Sequence, residues 1–151
     1  EPVADAVRGI LDGHIVLSRA LAHKNHYPSV DILQSISRVM VDIVPEEQVM
    51  AARRICEVTS TYRDAEDLIN IGAYQKGSNP EIDLAMNMVQ SINLFLKQGI
   101  YAPQPYQESV QQMMGLAEQC NRRPGAVPNP KAQPQGKPQP QAAQASKPNT
   151  R

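Results

Sequence analysis

Apolar side chains recur at helical spacing in the second half of the chain. After Pro45 they fall three and four residues apart, which predicts a helix from Glu46 to about Tyr62. A second, shorter helix is predicted over residues 65–71, because Gly72 then ends the pattern. The two helices are expected to be joined by a short connection.

The clearest apolar stripe belongs to a third predicted helix, with Asn79 as its N-cap, Pro80 at its first position and Gly99 at its close. A fourth helix is predicted over about residues 107–120. Four short helices with short connections indicate a compact helical bundle over residues 46–120. Methionines at helical spacing are expected to fill its core: Met86, Met88, Met113 and Met114.

Residues 1–45 show a different pattern. A turn signal at residues 12–13 precedes a run of strand-forming residues from His14 to Ser18, which is typical of a buried strand inside a parallel sheet. Helix-forming residues follow as far as Lys24. A strand and one short helix cannot enclose a core, so this part is expected to need a sheet from elsewhere. The predicted fold class is α/β followed by all-α.

Composition separates residues 121–151 from the rest. They hold six basic residues, no acidic residue and seven of the 13 prolines. Such a segment cannot bury enough apolar surface to offset the entropy lost on ordering, so a disordered, weakly basic tail is predicted. Residues 1–120 carry nine basic and 15 acidic side chains, a formal charge of −6. An acidic body argues against nucleic acid as a partner.

Several kinds of chemistry lack their residues in this sequence. No apolar run is long enough for a membrane-spanning helix, and no secretion signal is recognisable. Cys56 and Cys120 fit neither a disulfide framework nor a metal-ligand spacing, which indicates a reducing compartment and no metal site. The one Gly-Lys pair lies in the tail and does not form a phosphate-binding loop. Because the chain begins at Glu1 rather than Met, we expect a fragment or a processed product.

Three ordered motifs resemble the end of the RecA-like nucleotide-binding core of rotary-type ATPases: DGHIVLSR at residues 12–19, HYPSVD at 26–31 and SISRV at 35–39. Two later motifs, DLINIGAYQKGS at 67–78 and FLKQG at 95–99, are similar to the C-terminal region of flagellum-specific type III export ATPases. The resemblance covers about residues 1–118 and leaves out the tail. It implies that residues 1–45 end a RecA-like core and that residues 46–120 form a C-terminal helical domain.

The resemblance also implies a homohexameric ring that binds ATP with Mg²⁺ at its subunit interfaces. Arg38 would be the arginine finger that reaches the neighbouring subunit's γ-phosphate, a role that suits a planar, permanently charged guanidinium. On the residues alone, Arg38 is an ordinary interface or surface arginine. The phosphate-binding loop, the catalytic glutamate and the Mg²⁺ ligand would lie upstream of Glu1, so the isolated chain is expected to lack ATPase activity.

Aromatic residues receive roles from the same resemblance. Tyr27 matches the position that stacks on adenine, and the following Pro28 is expected to hold it in a rigid loop. Phe95 and Tyr101 lie in the region that closes the adenine pocket in relatives. A packing role for Tyr27 and a core position for Phe95 stay open.

The loop over residues 72–80 stands where rotary ATPases face their central stalk. Tyr74 and Lys76 are expected to bind a partner protein there, and a plain linker between helices is the alternative. The resemblance implies stalk and stator proteins of the export apparatus, export chaperones and exported substrates as partners. It places the protein in the cytoplasm, peripheral to the inner face of the membrane.

The predicted function is therefore ATP hydrolysis that assists the export of flagellar proteins. Alternatives are a virulence-type secretion ATPase, another rotary-type ATPase subunit, or a transcription-termination helicase, which the acidic body disfavours. A further alternative from another class is a non-catalytic interaction module.

Overall fold

The computed structural model describes residues 2–122. Six helices and one small sheet follow each other along these residues: α1 Pro2–Ile10, β1 Gly13–His14, α2 Arg19–His23, β2 Ile36–Ser37, α3 Met40–Ile43, α4 Glu46–Asn70, α5 Pro80–Leu96 and α6 Tyr106–Asn121. The described chain is therefore mostly helical. No helix within residues 2–122 has both the length and the apolar character needed to cross a membrane.

The core lies where α4 packs against both α5 and α6. Its buried residues are Ile55, Val58, Leu84, Ala85, Met88, Ile92 and Cys120. Met88 is buried and Met113 packs against this cluster, which confirms the core role predicted for these two methionines. At the start of α5, the Asn79 side chain accepts a hydrogen bond from the Glu81 N–H at 2.9 Å. The predicted N-cap is confirmed.

The predicted break after Tyr62 is wrong, because α4 runs without interruption from Glu46 to Asn70. Val58 and Ala65 are buried and Tyr62 packs against the core, so the apolar side of the helix continues through the predicted connection. The helix contains neither Gly nor Pro to stop it. Three long helices form the bundle instead of four short ones.

The strand predicted inside a parallel sheet is not confirmed within the described residues, and the sheet expected from elsewhere stays a prediction. β1 has only two residues and pairs antiparallel with β2, with Gly13 opposite Ser37 and His14 opposite Ile36. The partner strand comes from the same stretch of chain, which turns back after α2. Residues 12–38, which we name the sheet segment, are linked by backbone hydrogen bonds such as those from the Ser18 N–H to Ser29 and from the Asp31 N–H to Val16, and Ile15 is exposed.

The short helix predicted after the strand is confirmed as α2, whose N-cap Ser18 accepts from the Leu21 N–H at 3.4 Å. Helices α1 and α3 were not predicted. The predicted tail lies outside the described residues except for residues 121–122, of which Asn121 ends α6. The division predicted at residue 45 stays a prediction, although α4 begins at Glu46.

Candidate functional site

Arg38 lies directly after β2, at the end of the small sheet. Its backbone N–H donates to the Asp12 carbonyl oxygen at 2.8 Å, which fixes the main chain at this point. Its side chain is exposed and has no hydrogen-bond or ion-pair partner within residues 2–122. A guanidinium on a fixed backbone without internal partners is available to an anionic group from outside the described chain.

Gly13 allows the two short strands to approach each other beside Arg38. A Cβ atom at Gly13 would lie 2.7 Å from the carbonyl oxygen of Ile36 and 3.3 Å from the Cα of Ser37. Both are backbone atoms and cannot rotate away. Since Ile36 and Ser37 immediately precede Arg38, only glycine leaves the arginine's backbone in this position.

Replacing Gly13 by Ala is expected to lower the free energy of unfolding by about 1–3 kcal/mol, because the new Cβ overpacks the strand pair. Urea denaturation of the chain measures the change. Gly9→Ala is the matched control: its added Cβ meets nothing within 4 Å in α1, so stability should stay unchanged or rise slightly. An equal loss in both variants would show that the contact with Ile36 is not responsible.

Tyr27 borders a shallow pocket of about 360 Å³ between the sheet segment and the chain after α5. The walls are formed by Tyr27, Pro28, Gln98, Gly99, Ile100 and Pro103. The Gln98 N–H donates to the Tyr27 carbonyl oxygen at 2.9 Å and fixes the two sides relative to each other. The Tyr27 side chain is half exposed, so its ring is available for stacking on a flat ligand such as a nucleobase.

The other two aromatic candidates do not line this pocket. Phe95 is partly buried on α5, whereas Tyr101 is 96% exposed. Ile100, the neighbour of Tyr101, forms part of the wall instead. The adenine roles of Tyr27, Phe95 and Tyr101 stay predictions, and of the three only Tyr27 lines this pocket.

The loop between α4 and α5 is held in shape by Tyr74 and Asp83. The Tyr74 hydroxyl lies 2.9 Å from the Asn79 carbonyl oxygen and 3.0 Å from one carboxylate oxygen of Asp83. The Gly77 N–H donates to the other carboxylate oxygen at 2.8 Å. Tyr74 is thus partly buried within the loop, whereas Lys76 is exposed.

A second polar site, which the sequence analysis missed, joins the sheet segment to α4. Asp31 is 3% exposed, and Nη1 and Nη2 of Arg63 donate to its two carboxylate oxygens at 3.2 Å each. Burial alone would raise the pKa of Asp31. Hydrogen bonds from Arg63 and from the backbone N–H groups of Leu33 and Gln34, with the guanidinium charge, outweigh burial and lower the pKa. Asp31 is therefore ionised at neutral pH.

A cavity of about 450 Å³ lies beside this ion pair. His26 is buried in its wall, where burial and the positive charge of Lys97 lower the pKa of the imidazole. Lys24 and Glu66 form an exposed ion pair at 3.0 Å between the sheet segment and α4. Within residues 2–122, no group of three or more His, Cys, Asp or Glu side chains is placed to hold a metal ion.

The Asp31–Arg63 pair escaped the sequence analysis because its members are 32 positions apart. Each charge taken singly is typical of a solvated surface. The available signal was the place of Asp31 at the end of the HYPSVD motif, directly before the apolar Ile32 and Leu33.

Two family models match the chain. Residues 44–115 match the type III secretion system EscN ATPase C-terminal domain, and residues 1–37 match the nucleotide-binding domain of the ATP synthase alpha/beta family. The flagellum-specific ATP synthase of Bacillus subtilis (strain 168) is 52% identical over 116 residues, which make up 77% of this chain and 26% of that protein. Residues 44–115 therefore belong to the C-terminal domain family of type III secretion ATPases.

Solved structures of this family share the fold. The assembled ATPase EscN from the type III secretion system of enteropathogenic E. coli is 39% identical, with a TM-score of 0.73 over 78% of this chain and 28% of that chain. EscN in complex with its central stalk EscO is 39% identical, with a TM-score of 0.72 over 78% of this chain and 29% of that chain. The present chain spans about a quarter of the length of the curated relatives it matches. These matches confirm the family assigned from the motifs.

Proposed function

We propose that this chain is the C-terminal part of a flagellar protein-export ATPase, which hydrolyses ATP with Mg²⁺ in a homohexameric ring. The observation that carries the proposal is the 52% identity over 116 residues to the flagellum-specific ATP synthase of Bacillus subtilis, against 40% over 119 residues to the type 3 secretion system ATPase of Pseudomonas syringae pv. syringae. In this proposal the phosphate-binding loop and the Mg²⁺ ligands belong to parts of the ATPase outside this chain. The match of residues 1–37 to a nucleotide-binding domain supports a RecA-like origin for the sheet segment.

Within the ring, Arg38 acts as the arginine finger for the neighbouring subunit. Three observations support this role: the exposed guanidinium, its lack of partners within residues 2–122, and the fixed backbone at the end of β2. Arg38 follows directly after the last residue matched to the nucleotide-binding domain. Charge that develops on the transferred phosphoryl group is what such a guanidinium stabilises.

The helical bundle would provide the surface for partner proteins. Lys76 is exposed on the loop between α4 and α5, and Tyr74 gives that loop a defined shape. A central stalk protein is the first expected partner, because EscN has been solved in complex with its central stalk EscO. Stator proteins, export chaperones and exported substrates complete the proposed set, at the cytoplasmic face of the membrane.

ATP hydrolysis measured on two proteins tests this function. The intact ATPase that contains this segment is expected to release phosphate in a Mg²⁺-dependent manner, whereas the isolated 151-residue chain should show no turnover above background. An Arg38→Ala version of the isolated chain, purified in parallel, identifies contaminating ATPases. Mg²⁺-dependent hydrolysis by the isolated chain that exceeds this control would overturn the proposal. Hydrolysis by neither protein would favour a non-catalytic interaction module.

A further inference from the structure

The turn that precedes β2 is attached to the helical bundle through one buried carboxylate. Both guanidinium Nη atoms of Arg63, which belongs to α4, donate to Asp31 in a two-pronged arrangement. The neighbouring Ile32 packs against the bundle core and adds an apolar contact at the same point. The sheet segment is thus seated on α4 by charge and by packing together.

Asp31 also organises the turn that it begins. Its carboxylate accepts from the Leu33 N–H at 3.0 Å and from the Gln34 side-chain amide at 3.2 Å. Its main-chain carbonyl accepts from the Ser35 N–H at 3.0 Å and from the Ser35 hydroxyl at 2.7 Å. These bonds fix the four residues that lead into β2.

Ser35 connects this turn to the residues that follow β1. Its hydroxyl oxygen accepts a hydrogen bond from the Val16 N–H at 3.0 Å, while the Asp31 N–H donates to the Val16 carbonyl at 2.8 Å. The next two residues form β2, and Arg38 follows with its N–H bonded to Asp12. Hydrogen bonds therefore connect Arg63 on α4 to Ser35, and the covalent chain continues from Ser35 through β2 to Arg38.

We infer that Asp31, clamped by Arg63, is a positioning residue for Arg38, so that helix α4 sets where the arginine finger stands. This inference rests on the role proposed above for Arg38. A misplacement of about 1 Å at a reacting centre lowers a rate by roughly 10²-fold, so loss of the clamp is expected to matter even though neither residue touches the nucleotide.

A double-mutant cycle in the intact ATPase tests the inference. Asp31→Asn keeps the size of the side chain and removes the charge that Arg63 grips. It should lower kcat by about 10- to 100-fold, with KM for ATP changed by less than about twofold, because the adenine and phosphate contacts are untouched. In the Arg38→Ala background, Asp31→Asn should lower kcat by less than a further factor of about two, since a finger that is absent cannot be misplaced.

Conservative and control variants separate positioning from folding. Arg63→Lys keeps the charge without the two-pronged geometry, so its kcat should lie between those of the unmodified enzyme and Arg63→Gln. Lys24→Ala is the matched control, because Lys24 forms an exposed ion pair with Glu66 between the same two parts of the chain. That variant should keep kcat within about twofold, as exposed pairs contribute little.

Distinct outcomes separate this inference from the function on which it rests. If Arg38→Ala is defective and Asp31→Asn lowers kcat by the same factor with and without Arg38, the positioning role is wrong and the proposed function stands. If Arg38→Ala leaves kcat unchanged, the finger role of Arg38 and the positioning role of Asp31 are both wrong, whereas ATP hydrolysis by the intact protein still supports the proposed function. If Asp31→Asn does not fold, the same cycle with Arg63→Lys decides, because the Arg63 side chain is 42% exposed and lysine keeps a positive charge beside the buried Asp31 carboxylate.

Discussion

Replacing Arg38 by Ala in the intact ATPase is expected to lower kcat by about 10³-fold or more, the range typical of arginine fingers. The reason is electrostatic: the guanidinium stabilises charge that develops on the transferred phosphoryl group, and no other partner-free arginine lies at the end of β2 within residues 2–122. Steady-state phosphate release measures kcat. Nucleotide affinity and thermal unfolding should change little, because the side chain is exposed.

Two further arginine variants sharpen this prediction. Arg38→Lys should recover little activity, since an ammonium group lacks the planar fork that contacts two phosphoryl oxygens. Arg122→Ala removes another exposed arginine, at the C-terminal end of α6, where it forms an exposed ion pair with Glu118 at 3.2 Å, and should leave kcat within about twofold because exposed pairs contribute little. A loss in Arg122→Ala as large as that in Arg38→Ala would indicate a general effect of charge rather than a finger.

Mixing two inactive proteins determines which subunit uses Arg38. One protein lacks the lysine of the phosphate-binding loop, and the other carries Arg38→Ala. If Arg38 serves the neighbouring subunit, mixed rings contain some interfaces with both groups intact, and activity should partly return. If mixed rings form and stay inactive, Arg38 does not act across the interface.

Elements that depend on contacts between near neighbours in the sequence were predicted correctly, whereas elements that depend on residues far apart in the sequence were not. Helix α5 is specified locally. Asn79 caps it by accepting a hydrogen bond from the Glu81 N–H two residues later, and Pro80 occupies its first position. The break predicted after Tyr62 was wrong because Arg63 and Asp64 interrupt the apolar pattern, although the helix continues through them and buries Ala65. The antiparallel pairing of β1 with β2 was not predicted for a different reason. It depends on residues more than 20 positions apart, which no local pattern encodes.

The same distinction between local and long-range signals applies to the residues of the candidate site. Arg38 and Tyr27 were found because the motifs around them resemble a family, not because their spacing specifies a pocket. Asp31 and Arg63 stayed hidden, since an acidic residue on a loop and a basic residue on a helix reveal their contact only once the fold brings them together. Burial of Asp31 is the feature that separates it from ordinary surface acids, and burial is a property of the tertiary structure.

Truncation of Ile92 to Ala is expected to lower the free energy of unfolding by about 2–5 kcal/mol, because Ile92 is 1% exposed in the centre of the bundle core and its loss leaves a cavity. Urea denaturation measures the change, with the midpoint shifting and the slope staying constant. Leu94→Ala, two residues further along α5, is the matched control. Its side chain is 67% exposed, so its free energy of unfolding should change by less than about 0.5 kcal/mol.

The same pair of variants tests whether the sheet segment depends on the bundle. Ile32 packs against the cluster that contains Ile92, and Asp31 is hydrogen-bonded to Arg63 on α4. A less tightly packed core should therefore also hold the sheet segment less firmly against α4. In the intact ATPase, Ile92→Ala should therefore lower kcat at temperatures where the protein is still folded, whereas Leu94→Ala should not. Unchanged kcat in a clearly destabilised Ile92→Ala enzyme would mean that the position of Arg38 is set within residues 12–38 alone, independently of the packing of α5.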